Sequence, residues 1–152
     1  MILAAVDTNL LIYSAARGGD ERKHLVAVKL LRELAAAGRG ILPLQALSEF
    51  YAVAVRKGTV PPSEAAAYVD LLSEMFPVRE ASFADVQDAM RVHRDHGVSF
   101  WDGMLWSVAR RAGTRLLLSE DFQDGRELEG VRFVDPFVER NAGVLAHLLG
   151  TA

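Results

Sequence analysis

The chain contains no cysteine. That removes disulfides, thiolate nucleophiles and cysteine-ligated zinc together, and it suits a cytoplasmic setting. Lysine is scarce: of the 17 basic residues, three are Lys and 14 are Arg. Positive charge is not in excess either, since the formal net charge is −3 and no polybasic arm is present. No apolar run reaches the roughly 18 uncharged residues that a membrane span needs. The apolar start MILAAVDTNLLIYSAA lacks basic residues and is interrupted by Asp7, so no targeting segment is expected. Glycine loops that cradle phosphate, a G-x-S-x-G nucleophile turn, internal repeats and low-complexity stretches are also missing.

What is present is apolar and regularly interrupted. With 152 residues, 51% hydrophobic and 24% charged, the chain has the size and core-forming content of one globular domain over 1–152. Short apolar runs at 2–6 (ILAAV), 41–44 (ILPL), 115–119 (RLLLS) and 131–134 (VRFV) read as strands, the first of them a buried-strand candidate, and 77–80 is a candidate short third strand. Between them lie helical patterns: a short one after Asp7, then 20–37 with Leu25, Val28, Leu31 and Leu34 on one face, 45–57, 61–76, 82–96, and one opened by Ser99. Asp135 and Pro136 have the N-cap and first-turn chemistry of a last helix. Strands alternating with helices predict an α/β fold, a mostly parallel sheet covered on both faces in three α/β/α layers.

Four acids sit in unusual surroundings. Asp7 lies in AAVDTNLLIY, Glu49 in LPLQALSEFYAVAV, Asp102 in SFWDGMLWSV and Asp121 in LLLSEDFQDG. Burying a lone carboxylate in apolar surroundings costs several kcal/mol or neutralises it. Asp7 ends the first strand and Asp121 lies just past the fourth, while Glu49 and Asp102 fall in the opening turns of helices. In parallel α/β sheets these places converge on the carboxyl edge, where ligands bind. Clustered carboxylates call for cations, and oxygen donors of this kind suit Mg²⁺ or Mn²⁺. Two such ions would balance four carboxylates, the arrangement used for in-line attack at phosphorus. Setting those four acids aside moves the charge balance from −3 to +1 (−3 + 4).

The pieces DTN (7–9), SEF (48–50), FWDGM (100–104), SEDFQDG (119–125) and GVRFVDPF (130–137) resemble the PIN-domain family, in its VapC-type toxin branch. The resemblance covers essentially the whole chain, in order. It implies a metal-dependent endoribonuclease that hydrolyses RNA as the toxin of a toxin–antitoxin pair. The implied metal and catalytic residues are Asp7, Glu49, Asp102 and Asp121, holding one or two Mg²⁺ or Mn²⁺ ions. Asp124 matches an acidic position that some members use as an additional site residue. Thr8, Asn9 and Ser119 match polar positions that support the acids. The family also implies a homodimer and a small antitoxin protein as partners.

Each residue has a plainer reading. Asp7 could cap the helix that starts at Thr8, and Glu49 could be a solvated residue in a polar stripe with Gln45, Ser48, Ala52 and Arg56. Ser99 and Asp102 have capping-box spacing, and for Asp102 the family match decides. Asp121 and Asp124 could be turn residues before Gly125. Glu120, Glu127 and Glu129 read as solvated loop charge, Trp101, Met104 and Trp106 as core, and Tyr13 as a packing residue. His93 and His96 have no third ligand nearby and read as surface. Leu11, Ile12, Leu47, Phe50, Tyr51 and Val55 exceed what one small core face needs and predict an interface. Other functions compete. A receiver-like domain needs an acidic pair after its first strand and a late Lys, yet only Asp7 and no Lys after Lys57 are present. A dehalogenase-like phosphatase needs a second Asp where Asn9 stands. A catalytically inactive PIN scaffold would not need all four acids.

Overall fold

The computed structural model describes residues 1–152. Its chain order is β1 (Ala4–Val6), α1 (Thr8–Ala15), α2 (Glu21–Ala37), β2 (Gly40–Pro43), α3 (Leu44–Lys57), α4 (Pro62–Met75), β3 (Val78–Arg79), α5 (Phe83–His96), α6 (Phe100–Arg111), β4 (Leu116–Leu118), β5 (Glu127–Leu128), β6 (Val131–Val134) and α7 (Ala142–Leu149). The six strands form one sheet in the order β3-β2-β1-β4-β6-β5. Every pairing is parallel except β5 with β6. No helix is long and apolar enough to cross a membrane.

Strand alternation divides the core in two. Ala4, Val6, Leu42, Leu116, Leu118 and Val134 point to one face, where α1–α4 and α7 pack. Ala5, Ile41, Leu117, Val131 and Phe133 point to the other, against Val92 of α5 and Trp106 and Ala109 of α6. Strands buried on both sides read as continuous apolar runs, and the sheet forms the middle of three layers.

Local chemistry sets the helix ends. The Asp20 carboxylate accepts from the Lys23 N–H at 3.0 Å to open α2. Ser82 and Asp85 build a full capping box at α5. Asp85 is also completely buried and accepts from Ser107 Oγ (2.7 Å) and Arg111 Nε (2.9 Å), tying α5 to α6. Burial alone would raise its pKa, but these donors outweigh it and hold the carboxyl below the usual range.

Three expectations change. The last helix does not start at Asp135–Pro136. The Asp135 carboxylate accepts instead from the Phe137 N–H at 2.8 Å in a turn. A 3₁₀ turn (Glu139–Asn141) then precedes α7. The turn is anchored because Asp124 accepts from both the Asp135 N–H and the Asn141 amide, each at 2.8 Å. Second, residues 127–134 form a hairpin, where a polar turn and one strand were expected. Its two-residue loop, Glu129-Gly130, has φ of 47° and 87°, the left-handed pair of a type I′ turn. Third, α2 turns its apolar face by about one residue: Ala27, Leu30, Leu31 and Leu34 are buried, whereas Leu25 is exposed.

Candidate active site

From β1 the chain moves outward to β2 and β3, then returns to place β4 on the other side of β1. The carboxyl ends of β1 and β4 therefore flank the point where the winding reverses, the place where open α/β sheets bind ligands. Val6 pairs with Leu118 in register, and the Asp7 N–H donates to the Leu118 carbonyl at 3.0 Å. This sets Asp7 opposite Ser119 with no freedom to slide.

Asp7 is buried and fully engaged. Its Oδ1 accepts from the Thr8 N–H at 2.6 Å. Oδ2 accepts from Ser119 Oγ at 2.6 Å, with the Asn9 amide at 3.5 Å. The Asn9 amide also donates to Ser119 Oγ (3.0 Å) and to Asp121 Oδ2 (3.1 Å). Ser119 Oγ in turn accepts from the Asp121 N–H at 3.0 Å. Asp7 does cap α1, as its plainer reading allows, and still reaches the cleft. Glu49 comes in from α3, where Thr8 Oγ1 donates to its Oε2 (3.0 Å) and Gln45 Nε2 to its Oε1 (2.9 Å). Asp102 enters from the first turn of α6. Ser99 Oγ caps that helix by accepting the Asp102 N–H at 3.2 Å. The reciprocal half of the box is not built there, and the Asp102 side chain lines the cleft.

All four acids thus line one cleft of about 230 Å³, together with Thr8, Asn9, Gln45, Trp101 and apolar Ile12, Val53 and Leu105. Burial raises the Asp7 pKa to about 6; the Ser119 hydroxyl and Thr8 N–H oppose the rise, and the charges of Asp121 and Asp102 add to it. Burial also raises Asp102, again with Asp121 and Glu49 contributing. The acids feel one another without closing into a cage: no three acidic or histidine side chains gather as a metal cluster. Hydrogen bonds from Thr8 and Asn9 engage carboxylate oxygens of Glu49, Asp7 and Asp121.

A divalent ion fits this donor set. The Asn9 Oδ1 is buried with no hydrogen-bond partner, a neutral oxygen left unsatisfied beside carboxylates whose charge is uncompensated. Hard oxygen donors of this kind match Mg²⁺ or Mn²⁺.

Asp124 lies outside the cleft lining. Its carboxylate accepts from Arg140 Nη2 at 2.7 Å, from Asn141 and from the Asp135 N–H, which together hold its pKa down against burial. In this position it fastens the C-terminal turn. Trp101, expected in the core, is 62% exposed at the cleft edge, whereas Trp106 and Met104 are buried. Glu120 and Glu129 are not free loop charges. Glu120 accepts from Tyr13 Oη (2.6 Å) and pairs with Lys23 Nζ (2.5 Å), and Glu129 pairs with Arg91 at 2.9 Å. The Tyr13–Lys23–Glu120 contact joins α1, α2 and the β4–β5 loop beside Ser119 and Asp121. Its one sequence signal is that Tyr13 lies four residues after Asn9, on the same helix face. His93 and His96 are on the surface, as expected.

A doubly covered parallel sheet with acids gathered at its reversal point defines an α/β/α domain with an acidic carboxyl edge. The PIN domain model matches residues 4–123, and the chain belongs to the PIN domain family. None of the curated proteins matches it in sequence. Among solved structures it is similar to the Mycobacterium tuberculosis VapC20 toxin, described as cleaving the sarcin–ricin loop. That match has a TM-score of 0.62 and 20% identity, covering 78% of this chain and 91% of that one. It is also similar to a chain of the DNA-bound VapBC complex of Salmonella typhimurium (TM-score 0.66, 15% identity, 90% and 99% covered). A Klebsiella pneumoniae toxin–antitoxin complex gives a TM-score of 0.62 at 15% identity, with 88% and 97% covered. At these identities the likeness establishes the fold.

Proposed function

We propose that this chain is a Mg²⁺- or Mn²⁺-dependent endoribonuclease that acts as the toxin of a toxin–antitoxin pair. The observation that carries the reading is the buried Asp7 at the sheet's reversal point, held beside an unpaired Asn9 oxygen in a cleft with three further acids. Membership of the PIN family and the VapC-type neighbours support it.

Asp7, Glu49, Asp102 and Asp121 would hold one or two ions, with Asn9 Oδ1 available beside them. A divalent ion there would supply positive charge next to the phosphate and ease deprotonation of water. The chain's own residues fix the acids. Thr8 and Gln45 each hold one oxygen of Glu49. Ser119 and the Thr8 N–H hold Asp7, and the Asn9 amide ties Asp121 to the same network. Such supporting contacts orient ligands and are commonly worth about 10–100-fold in metal affinity or activity. The expected partners are RNA as substrate, a second copy of the chain and a small antitoxin protein. The toxin–antitoxin complexes among the neighbours support the last of these.

The test is purified protein incubated with total cellular RNA in Mg²⁺, in Mn²⁺ and in chelator, with the cut ends mapped. Cleavage should need the divalent ion and leave 5′-phosphate and 3′-hydroxyl ends, and Asp7→Asn should lose nearly all of it while still folding. A 2′,3′-cyclic phosphate would mean attack by the RNA's own 2′-hydroxyl and overturn the hydrolytic reading. RNA binding without cleavage in either metal would assign the chain to the inactive-scaffold reading.

A further inference from the structure

The cleft presents an electrostatic difficulty to a polyanion. It is lined by eleven residues that include four carboxylates and no Lys or Arg. Ions could neutralise the acids at the reacting phosphate, but the nucleotides on either side gain nothing from them. Within the cleft lining, grip on the strand falls to uncharged side chains. The lining holds one aromatic side chain, Trp101, and it is 62% exposed.

Trp101 is also anchored through its backbone. It directly precedes Asp102 in the first turn of α6. Its ring meets the Phe100 ring edge-on, with centroids 5.1 Å apart and planes at 74°. Its carbonyl accepts from Gln45 Nε2 at 3.2 Å, the same amide nitrogen that donates to Glu49. The Trp101 backbone is therefore tied to the same Gln45 that holds Glu49, and its ring packs against Phe100. An exposed indole has only two side-chain torsions to order on binding, and every nucleobase offers it a π-face.

We propose that Trp101 is a stacking platform for one unpaired nucleobase of the RNA strand entering the cleft. This rests on the ribonuclease reading and deepens it, because a base already stacked within a duplex cannot lie on the indole. The platform selects single-stranded or looped RNA and leaves base identity open.

The chain has two tryptophans, and Trp106 is fully buried, so the difference in emission between wild type and Trp101→Phe isolates the Trp101 indole. The protein is titrated in Ca²⁺, which takes oxygen ligands in flexible geometry. The probes are a short unstructured RNA oligonucleotide and the same sequence in a perfect duplex. The single strand should quench most of the emission that the Trp101→Phe protein lacks, and the duplex should leave it. In Mg²⁺ or Mn²⁺, Trp101→Ala should raise KM for the single strand about 10–100-fold with kcat little changed, while Trp101→Phe keeps most of the affinity. An unchanged KM in Trp101→Ala overturns the proposal. So does equal quenching by both RNAs, or an emission that shifts with protein concentration alone because a second copy covers the indole. Quenching by the single strand without cleavage in either metal sinks the ribonuclease reading and leaves the platform standing. Cleavage with no quenching and no KM effect sinks the platform alone.

Discussion

In the metal-free protein, burial of Asp7 works against the fold. Its pKa of about 6 lies above the usual 3.8, so the folded state binds this proton more tightly than the unfolded state. Between those two values stability falls as pH rises, and above about 6 the full penalty applies. A shift of this size corresponds to about 3 kcal/mol. Asp85, Asp124 and Glu129 have lowered pKa values and impose the opposite slope at lower pH, so the clean quantity is a difference between variants. Measured by denaturant unfolding in chelator, Asp7→Asn should gain stability relative to wild type as pH rises from about 4 to 7. Mg²⁺ should shrink that difference by stabilising wild type. A difference that stays flat with pH would mean the carboxyl is not held protonated by its surroundings. Asp7 was legible in the sequence because a charge at the end of an apolar strand needs a reason, whereas Glu49 and Asp102 also fitted a polar stripe and a helix cap and were singled out by the family resemblance. The exposure of Trp101 was not legible, because hydropathy cannot tell which side of a helix's first turn faces a cleft. Glu120 was misread for a related cause: its partners, Tyr13 and Lys23, lie 107 and 97 residues away in sequence.

Helix α6 carries Asp102, and its seat depends on one close approach. A Cβ on Gly103 would sit 3.1 Å from the Ala89 Cα and 3.2 Å from the Ala89 carbonyl oxygen of α5. Those atoms are backbone and cannot swing aside. Gly→Ala inside a helix ordinarily stabilises by about 1 kcal/mol. Here Gly103→Ala should instead lower the melting temperature and reduce cleavage, because α6 must lift from α5 and take Asp102 with it. A melting temperature above wild type with full activity would show that the two helices separate freely. Among the elements, the helices and parallel strands were readable from apolar periodicity and caps. The β5–β6 hairpin was not. Type I′ loops are usually signalled by Asn-Gly or Asp-Gly, and Glu129 adopts its positive φ without that signature while pairing with Arg91 and Arg110. The start of the last helix was misplaced because Asp-Pro serves equally as a cap and as a turn, and contacts from Asp124, eleven residues before Asp135, decide between them.

For the whole molecule, the apolar surplus expected on α1 and α3 is smaller than the sequence suggested. Leu11, Leu47 and Phe50 are spent in the core, Ile12 and Val55 are half-buried, and Tyr51 remains exposed. The larger uncovered apolar side chains are scattered over several helices: Leu25 on α2, Leu44 and Tyr51 on α3, Leu71 on α4, Phe83 and Met90 on α5. A homodimer should therefore be in measurable exchange with monomer, visible as concentration-dependent sedimentation. Inhibition of cleavage by a co-expressed small antitoxin should accompany it. A chain that sediments as a monomer at every concentration and resists every candidate antitoxin would remove both partners and leave the nuclease chemistry untouched. Partners are further constrained by the rim of the sheet. Both outermost strands, β3 and β5, are two residues long, so neither offers a ladder of free N–H and carbonyl groups long enough to template another strand. Edge strands this short blunt strand-to-strand aggregation. A partner chain finds little sheet edge to extend, which leaves the helices and loops as the surfaces on offer.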